Sequence, residues 1–167
     1  MRLTDKEDQV TTTTIRNSLS IEKQRSAAGE LQGTLADLID LALQAKQAHW
    51  NVRGSHFRSI HAQLDEMVSE YRTWSDLVAE RIVTVGIPAD GRARSVAESS
   101  SVADFPAGYV QDRDVVDAFI ERLSEVSGLA RERMDRLGEI DASSQDILID
   151  VVLGMEKQLW MLQAQDL

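Results

Sequence analysis

The sequence predicts an all-α protein: a bundle of four long helices with a long crossover between the second and the third. Three observations carry that expectation. Apolar residues recur at spacings of three, four and seven over four separate stretches, and strand-like alternation is hard to find. Only two prolines occur, Pro88 and Pro106, and both fall in one central segment. At 167 residues and 43% hydrophobic composition, the chain has the size of one domain with a real core.

Residues 1–26 are rich in Thr, Ser and charge and read as a mobile tail; the bundle is assigned to 27–167. The first helix is expected over about 27–52, where Leu31, Leu35, Leu38, Ile39, Ala42, Ala45 and His49 form one stripe. Gly54 is a natural stop for it. The second helix is expected over about 57–85, on Ile60, Leu64, Val68, Tyr71 and Ile82, and is closed by Gly86 and Pro88. A connection of roughly 25 residues follows, long enough to run the length of a bundle, and its ARSVAESS segment suits a short extra helix. The third long helix is expected over about 112–137, on Val116, Phe119, Ile120, Leu123 and Val126. The fourth begins near Ser143, which has capping-box spacing to Asp146, and carries Ile147, Leu148, Val151, Val152, Met155, Leu159 and Leu162.

Composition excludes several function classes. Cysteine is absent, so disulfides, thiolate metal sites and thiol catalysis are ruled out, and redox chemistry would require a metal or another cofactor. The formal charge of −10 argues against a basic nucleic-acid surface and favours attraction of cations. No apolar run approaches the roughly 20 residues of a membrane span, and the N-terminus shows no secretory apolar segment. A cytoplasmic protein with no membrane association is expected.

The three histidines, His49, His56 and His61, lie within thirteen positions, with Asp65, Asp76 and Glu80 following. On a helix His61 and Asp65 share a face, as do Asp76 and Glu80, and the two pairs point in nearly the same direction. They are nevertheless separated by roughly 16 Å along the axis, whereas metal–ligand bonds are about 2 Å. One ion can meet both pairs only if a second copy of the helix packs antiparallel across a two-fold axis, which gives two sites per dimer. Imidazole with carboxylate and no thiolate suits iron, zinc or manganese. No Glu precedes a histidine by three positions, which disfavours a di-iron centre built within one bundle. On spacing alone, a His and an Asp one turn apart are equally readable as a solvated or salt-bridged pair. His56 reads as a surface or capping residue, and Trp50, Trp74 and Trp160 are readable as core.

The stretch from Lys46 to Gly86 resembles the Dps family, the DNA-binding proteins from starved cells. AHWNVRG, then F-x-x-I-H, then L-D-E, then D-x-x-x-E-R stand at the family's spacing, and EKQLWML resembles its last helix. The resemblance covers about residues 30–165 and implies a ferritin-like four-helix bundle that assembles into a hollow shell, a dodecamer. It also implies a ferroxidase that oxidises Fe2+ to Fe3+ with hydrogen peroxide or oxygen and stores the ferric product. His49, His61 and Asp65 match ligands given by one subunit, and Asp76 and Glu80 those given by its two-fold partner. Trp50 matches the tryptophan beside the family's site. Asp141, Asp146 and Asp150 resemble the acidic lining of three-fold iron pores, although acidity at a helix N-terminus is also favoured by the macrodipole alone. The departure concerns DNA. Residues 1–26 hold five basic residues (Arg2, Lys6, Arg16, Lys23, Arg25) against four acidic ones (Asp5, Glu7, Asp8, Glu22). Phosphate binding needs clustered cations, so weak or absent DNA binding is expected.

Overall fold

The computed structural model describes residues 17–165. Along the chain run α1 (Ile21–Asn51), β1 (Val52–Arg53), α2 (Phe57–Thr84), α3 (Ala93–Ser99), β2 (Val110–Gln111), α4 (Asp112–Ile140) and α5 (Ala142–Gln163). Helix α1 packs chiefly against α2, and α4 against α5; contacts of α1 with α4 and of α2 with α5 close the bundle. The apolar stripes meet in one core. Leu31, Leu38, Leu41, Tyr71, Phe119, Leu123, Leu148 and Met155 are fully buried within it.

Two helix starts differ from the sequence expectation. Helix α1 begins at Ile21, six residues before the expected boundary at residue 27, so part of the expected tail belongs to the bundle. Ser20 caps it, with the Ser20 hydroxyl accepting from the Lys23 N–H at 3.3 Å. The Asn17 side chain ties the lead-in to the end of α2 by donating to the Thr84 carbonyl at 3.0 Å. Apolar periodicity could not reveal this turn, because residues 21–26 are polar or exposed and the buried stripe starts at Ala27. The remainder of the expected tail, residues 1–16, lies outside the described residues. Helix α5 is capped by Asp141, which accepts from the Ser144 N–H at 3.0 Å, rather than by Ser143 with Asp146.

The crossover follows α1 for most of its length. Gln32 exchanges hydrogen bonds with the Asp90 backbone at 2.8 and 2.9 Å. Asp37, fully buried, accepts from the Ser101 N–H at 2.7 Å and its hydroxyl at 2.8 Å, and pairs with Arg133 at 2.6 Å. Arg122, also buried, donates to Gln44 at 3.0 Å and to the backbone carbonyls of Ala103 and Asp104. At the far end Val110 and Arg53's partner Gln111 form a two-residue parallel bridge with β1. From Gln32 to Val52 these ties span about 30 Å of helix. Buried charges of this kind are tolerated because every one has partners.

Two glycines are demanded by close approach. At Gly54 the backbone has φ 134°, and a Cβ would lie 2.2 Å from the Asp112 carboxylate. At Gly154 a Cβ would lie 2.1 Å from the ring of Trp74, so this glycine admits the tryptophan between α2 and α5. Of the three tryptophans only Trp74 packs against the core; Trp50 and Trp160 are 65% and 64% exposed on outward faces. Among the described residues no helix is long and apolar enough to cross a membrane. We expect Gly54→Ala to destabilise the fold by about 2 kcal/mol or more. Gly128→Ala, in mid-α4 with open space around it, should be neutral or stabilising by up to about 1 kcal/mol. Urea unfolding of both variants checks this, and equal effects would contradict the role given to Gly54.

Candidate metal centre

The site grows from the corner between α1 and α2. Gly54 lets the chain turn back within a few residues, and Asp112, at the start of α4, clamps the turn. One Asp112 oxygen accepts from the His56 N–H at 2.7 Å and the other from the Arg113 N–H at 3.0 Å. These donors hold the Asp112 carboxyl below the usual carboxylate range. The His56 ring stands 3.3 Å from the same carboxylate and has this structural partner.

The corner sets the last turn of α1 against the first turns of α2. The rings of His49 and His61 stack with centroids 3.6 Å apart and planes 22° from parallel. Each Nδ1 lies 2.8 Å from the other residue's backbone carbonyl. A carbonyl can only accept, so Nδ1 carries the proton on both rings, which leaves Nε2 as the ring nitrogen open to a metal. This pairing fixes ring orientation in the way that metal-bound histidines require. His49 is buried and His61 half-buried, with the Phe57 ring 5.0 Å from the latter.

Asp65 stands one turn beyond His61, its Oδ1 3.9 Å from Nδ1 of His49. The same oxygen accepts from the Lys46 ammonium, which holds the Asp65 carboxyl below its usual range. Lys46 is three residues before His49, on the same face of α1, and sequence reasoning passed over it although its i,i+3 spacing was visible.

The structure thus gathers His49, His61 and Asp65 at one corner. It does not bring Asp76 and Glu80 to them; these are exposed on α2, farther along the helix. Among the described residues no three His, Asp or Glu side chains of one chain are grouped to hold a metal ion. Asp76 borders a surface hollow lined by Leu35, Ile39, Leu43 and Ala79. Trp50 borders a second hollow with Lys46, Gln47 and Phe105.

The three acidic residues near α5 have different surroundings. Asp141 is tied to Arg81 at 2.6 Å and to the Ser144 hydroxyl and N–H. Burial pushes its carboxyl up, but these donors outweigh that and hold it low. Its charge is therefore balanced within the chain, whereas Asp146 and Asp150 are exposed on the helix surface.

A four-helix bundle with one long crossover connection is the architecture of the ferritin-like class. The family model described as Ferritin-like domain matches residues 28–166. The chain is 34% identical over 150 residues to the DNA protection during starvation protein of Agrobacterium fabrum, covering 89% of this chain and 93% of that one. Dps from Microbacterium arborescens, solved "in the high iron form", superposes with TM-score 0.82 at 37% identity, over 87% of this chain and 95% of that one. Mycobacterium smegmatis Dps, in its tetragonal form, superposes with TM-score 0.87 at 30% identity, over 92% and 93%. The chain belongs to the Dps family of ferritin-like proteins.

Proposed function

We propose that this protein is a mini-ferritin that binds ferrous iron and oxidises it, with hydrogen peroxide as the favoured oxidant, at sites shared between two-fold-related subunits. His49, His61 and Asp65 of one subunit and Asp76 and Glu80 of the next supply the ligands. The ferric product collects inside a closed, dodecameric shell. The observation that carries this reading is the reciprocal bonding of His49 and His61, which presents two Nε2 lone pairs at one corner with their tautomers set in advance. The description of the Microbacterium arborescens relative as a high-iron form gives independent support for iron as the substrate.

The chemistry follows from the donor set. Neutral imidazole and carboxylate bind ferrous iron without the soft thiolates that would favour other ions. Anionic carboxylate oxygens stabilise the ferric product more than the ferrous reactant, so they lower the cost of electron loss. Two ferrous ions give one electron each to a peroxide, whose O–O bond breaks to the oxidation level of water. The ferric ions then hydrolyse to oxyhydroxide and release protons. Trp50, beside His49 and exposed, is placed to give up an electron to stray oxidising radicals. Asp146 and Asp150 are the residues available for an acidic ring that draws cations inward, since Asp141 is already paired with Arg81.

The name of the Agrobacterium fabrum relative speaks of DNA protection. Removing ferrous iron and peroxide together protects DNA without touching it, and the near-neutral residues 1–26 supply no cationic cluster for phosphate. We therefore expect no retained complex in a gel-shift at physiological salt; a stable one would overturn the reading of the tail. The principal test follows peroxide-driven oxidation of ferrous iron by absorbance, with particle size from light scattering on the same sample. A dodecamer-sized particle should oxidise iron quickly. His61→Ala should assemble normally and lose the rate by about 100-fold, the scale of losing a well-placed metal ligand or its support. An unchanged rate in His61→Ala would contradict the assigned site.

A further inference from the structure

Helix α2 carries an arginine in the middle of its ligand-bearing face. His61, Asp65, Ser69, Arg72, Asp76 and Glu80 lie on one face about 100° wide, and all but the half-buried His61 are exposed. Arg72 borders both surface hollows described above and has no ion pair among the described residues. Nearby charges are already engaged. Asp76, one turn on, is assigned to the metal, and Asp40 accepts from Gln44 at 3.1 Å and from Ser100 at 2.7 Å. Lys46, which also lines the second hollow, is paired with Asp65.

The two-fold arrangement proposed above fixes where Arg72 falls. His61 meeting Glu80 and Asp65 meeting Asp76 both place the axis midway between positions 70 and 71 of α2. Arg72 then faces Ser69 of the partner subunit, whose small side chain leaves room for it. Each Arg72 Cα stands about 2 Å along its helix from the axis, so the two copies are offset by only about 4–5 Å. Helical side chains lean toward the N-terminus of their helix, and on both copies of α2 that direction leads to the axis. Two guanidiniums therefore converge at the centre of the dimer, where their repulsion opposes the contact. We propose that they form an oxyanion site on the two-fold axis, midway between the two metal centres, that takes phosphate or another tetrahedral inorganic oxyanion. This rests on the intersubunit reading of the metal centre. Guanidinium N–H groups match phosphate oxygens in pairs, and a site closed between two helices admits a small ion rather than a polymer. The anion turns a repulsive pair into a bridge. It binds only the assembled dimer, so phosphate favours assembly by mass action.

The test titrates inorganic phosphate into the assembled, metal-free protein by calorimetry, with particle size followed by light scattering. Wild type should take one phosphate per two chains, and sulfate should compete for the same site. Arg72→Gln should weaken binding about tenfold or more, the scale of losing charge-assisted hydrogen bonds to an oxyanion. Arg72→Lys keeps the charge without the planar fork and should fall between the two. His61→Ala should bind phosphate as wild type does, because the imidazole lies outside the axial site. One phosphate per chain, or binding unchanged in Arg72→Gln, would overturn the proposal. So would the absence of binding by wild type, the result if Arg72 turns instead to the exposed Asp104 of its own hollow. The intersubunit reading is judged separately, by co-assembling His61→Ala with Asp76→Ala subunits. Recovered iron oxidation without an axial phosphate sinks the anion site alone, and no recovery sinks both.

Discussion

Two hydrogen bonds across the α1–α2 corner decide what this surface presents to solvent. Because His49 and His61 each donate Nδ1–H to the other's carbonyl, the two rings have one orientation and one free nitrogen each. The His49 carbonyl lies in the last turn of α1, where helix carbonyls lack intrahelical partners, while the His61 carbonyl belongs to the first turns of α2. The same bonds therefore complete the corner and set the imidazoles. They depend on the turn itself, which depends in turn on a residue without Cβ at Gly54 and on Asp112 filling the space beside it.

The rest of the fold keeps that corner in place. Asp112 belongs to α4, so its position is inherited from the crossover, and the crossover is fixed to α1 by directional polar contacts in addition to the apolar ones of Val102 and Phe105. Asp37 with Arg133 and Ser101, and Arg122 with Gln44 and the Ala103–Asp104 backbone, bind loop to helix deep in the structure. A loop held by apolar contacts alone could slide along α1; directional bonds to buried charges allow one register. The parallel bridge from Val52 to Val110 completes that register next to the histidines.

Helix content, the crossover and the short helix at Ala93–Ser99 were legible because amphipathic periodicity survives in the sequence with little noise. The common face of His61 and Asp65 was legible for the same reason. What escaped has physical causes. The first turn of α1 is capped and anchored through Ser20 and Asn17, and it buries no apolar stripe before Ala27. The β1–β2 bridge is two residues long, too short for any period to register. Asp112, Asp37 and Arg122 look like ordinary surface charges until the fold brings distant residues to them. Trp50 and Trp160 read as core by residue type, yet the core here is filled by leucines, valines and Tyr71. The separation of Asp76 and Glu80 from the histidines was foreseen from helical rise, and the single chain keeps them apart.

The central claim is that a working site takes its ligands from two subunits. Subunits carrying His61→Ala and subunits carrying Asp76→Ala, co-assembled in equal amounts, test it most directly. Across a two-fold contact a mixed pair pools one intact ligand set and one doubly damaged set. With random pairing, about a quarter of the wild-type iron-oxidation rate should return although each parent alone is nearly inactive. If the mixture shows no more than the average of its parents, the ligands act within one chain and the intersubunit account is wrong.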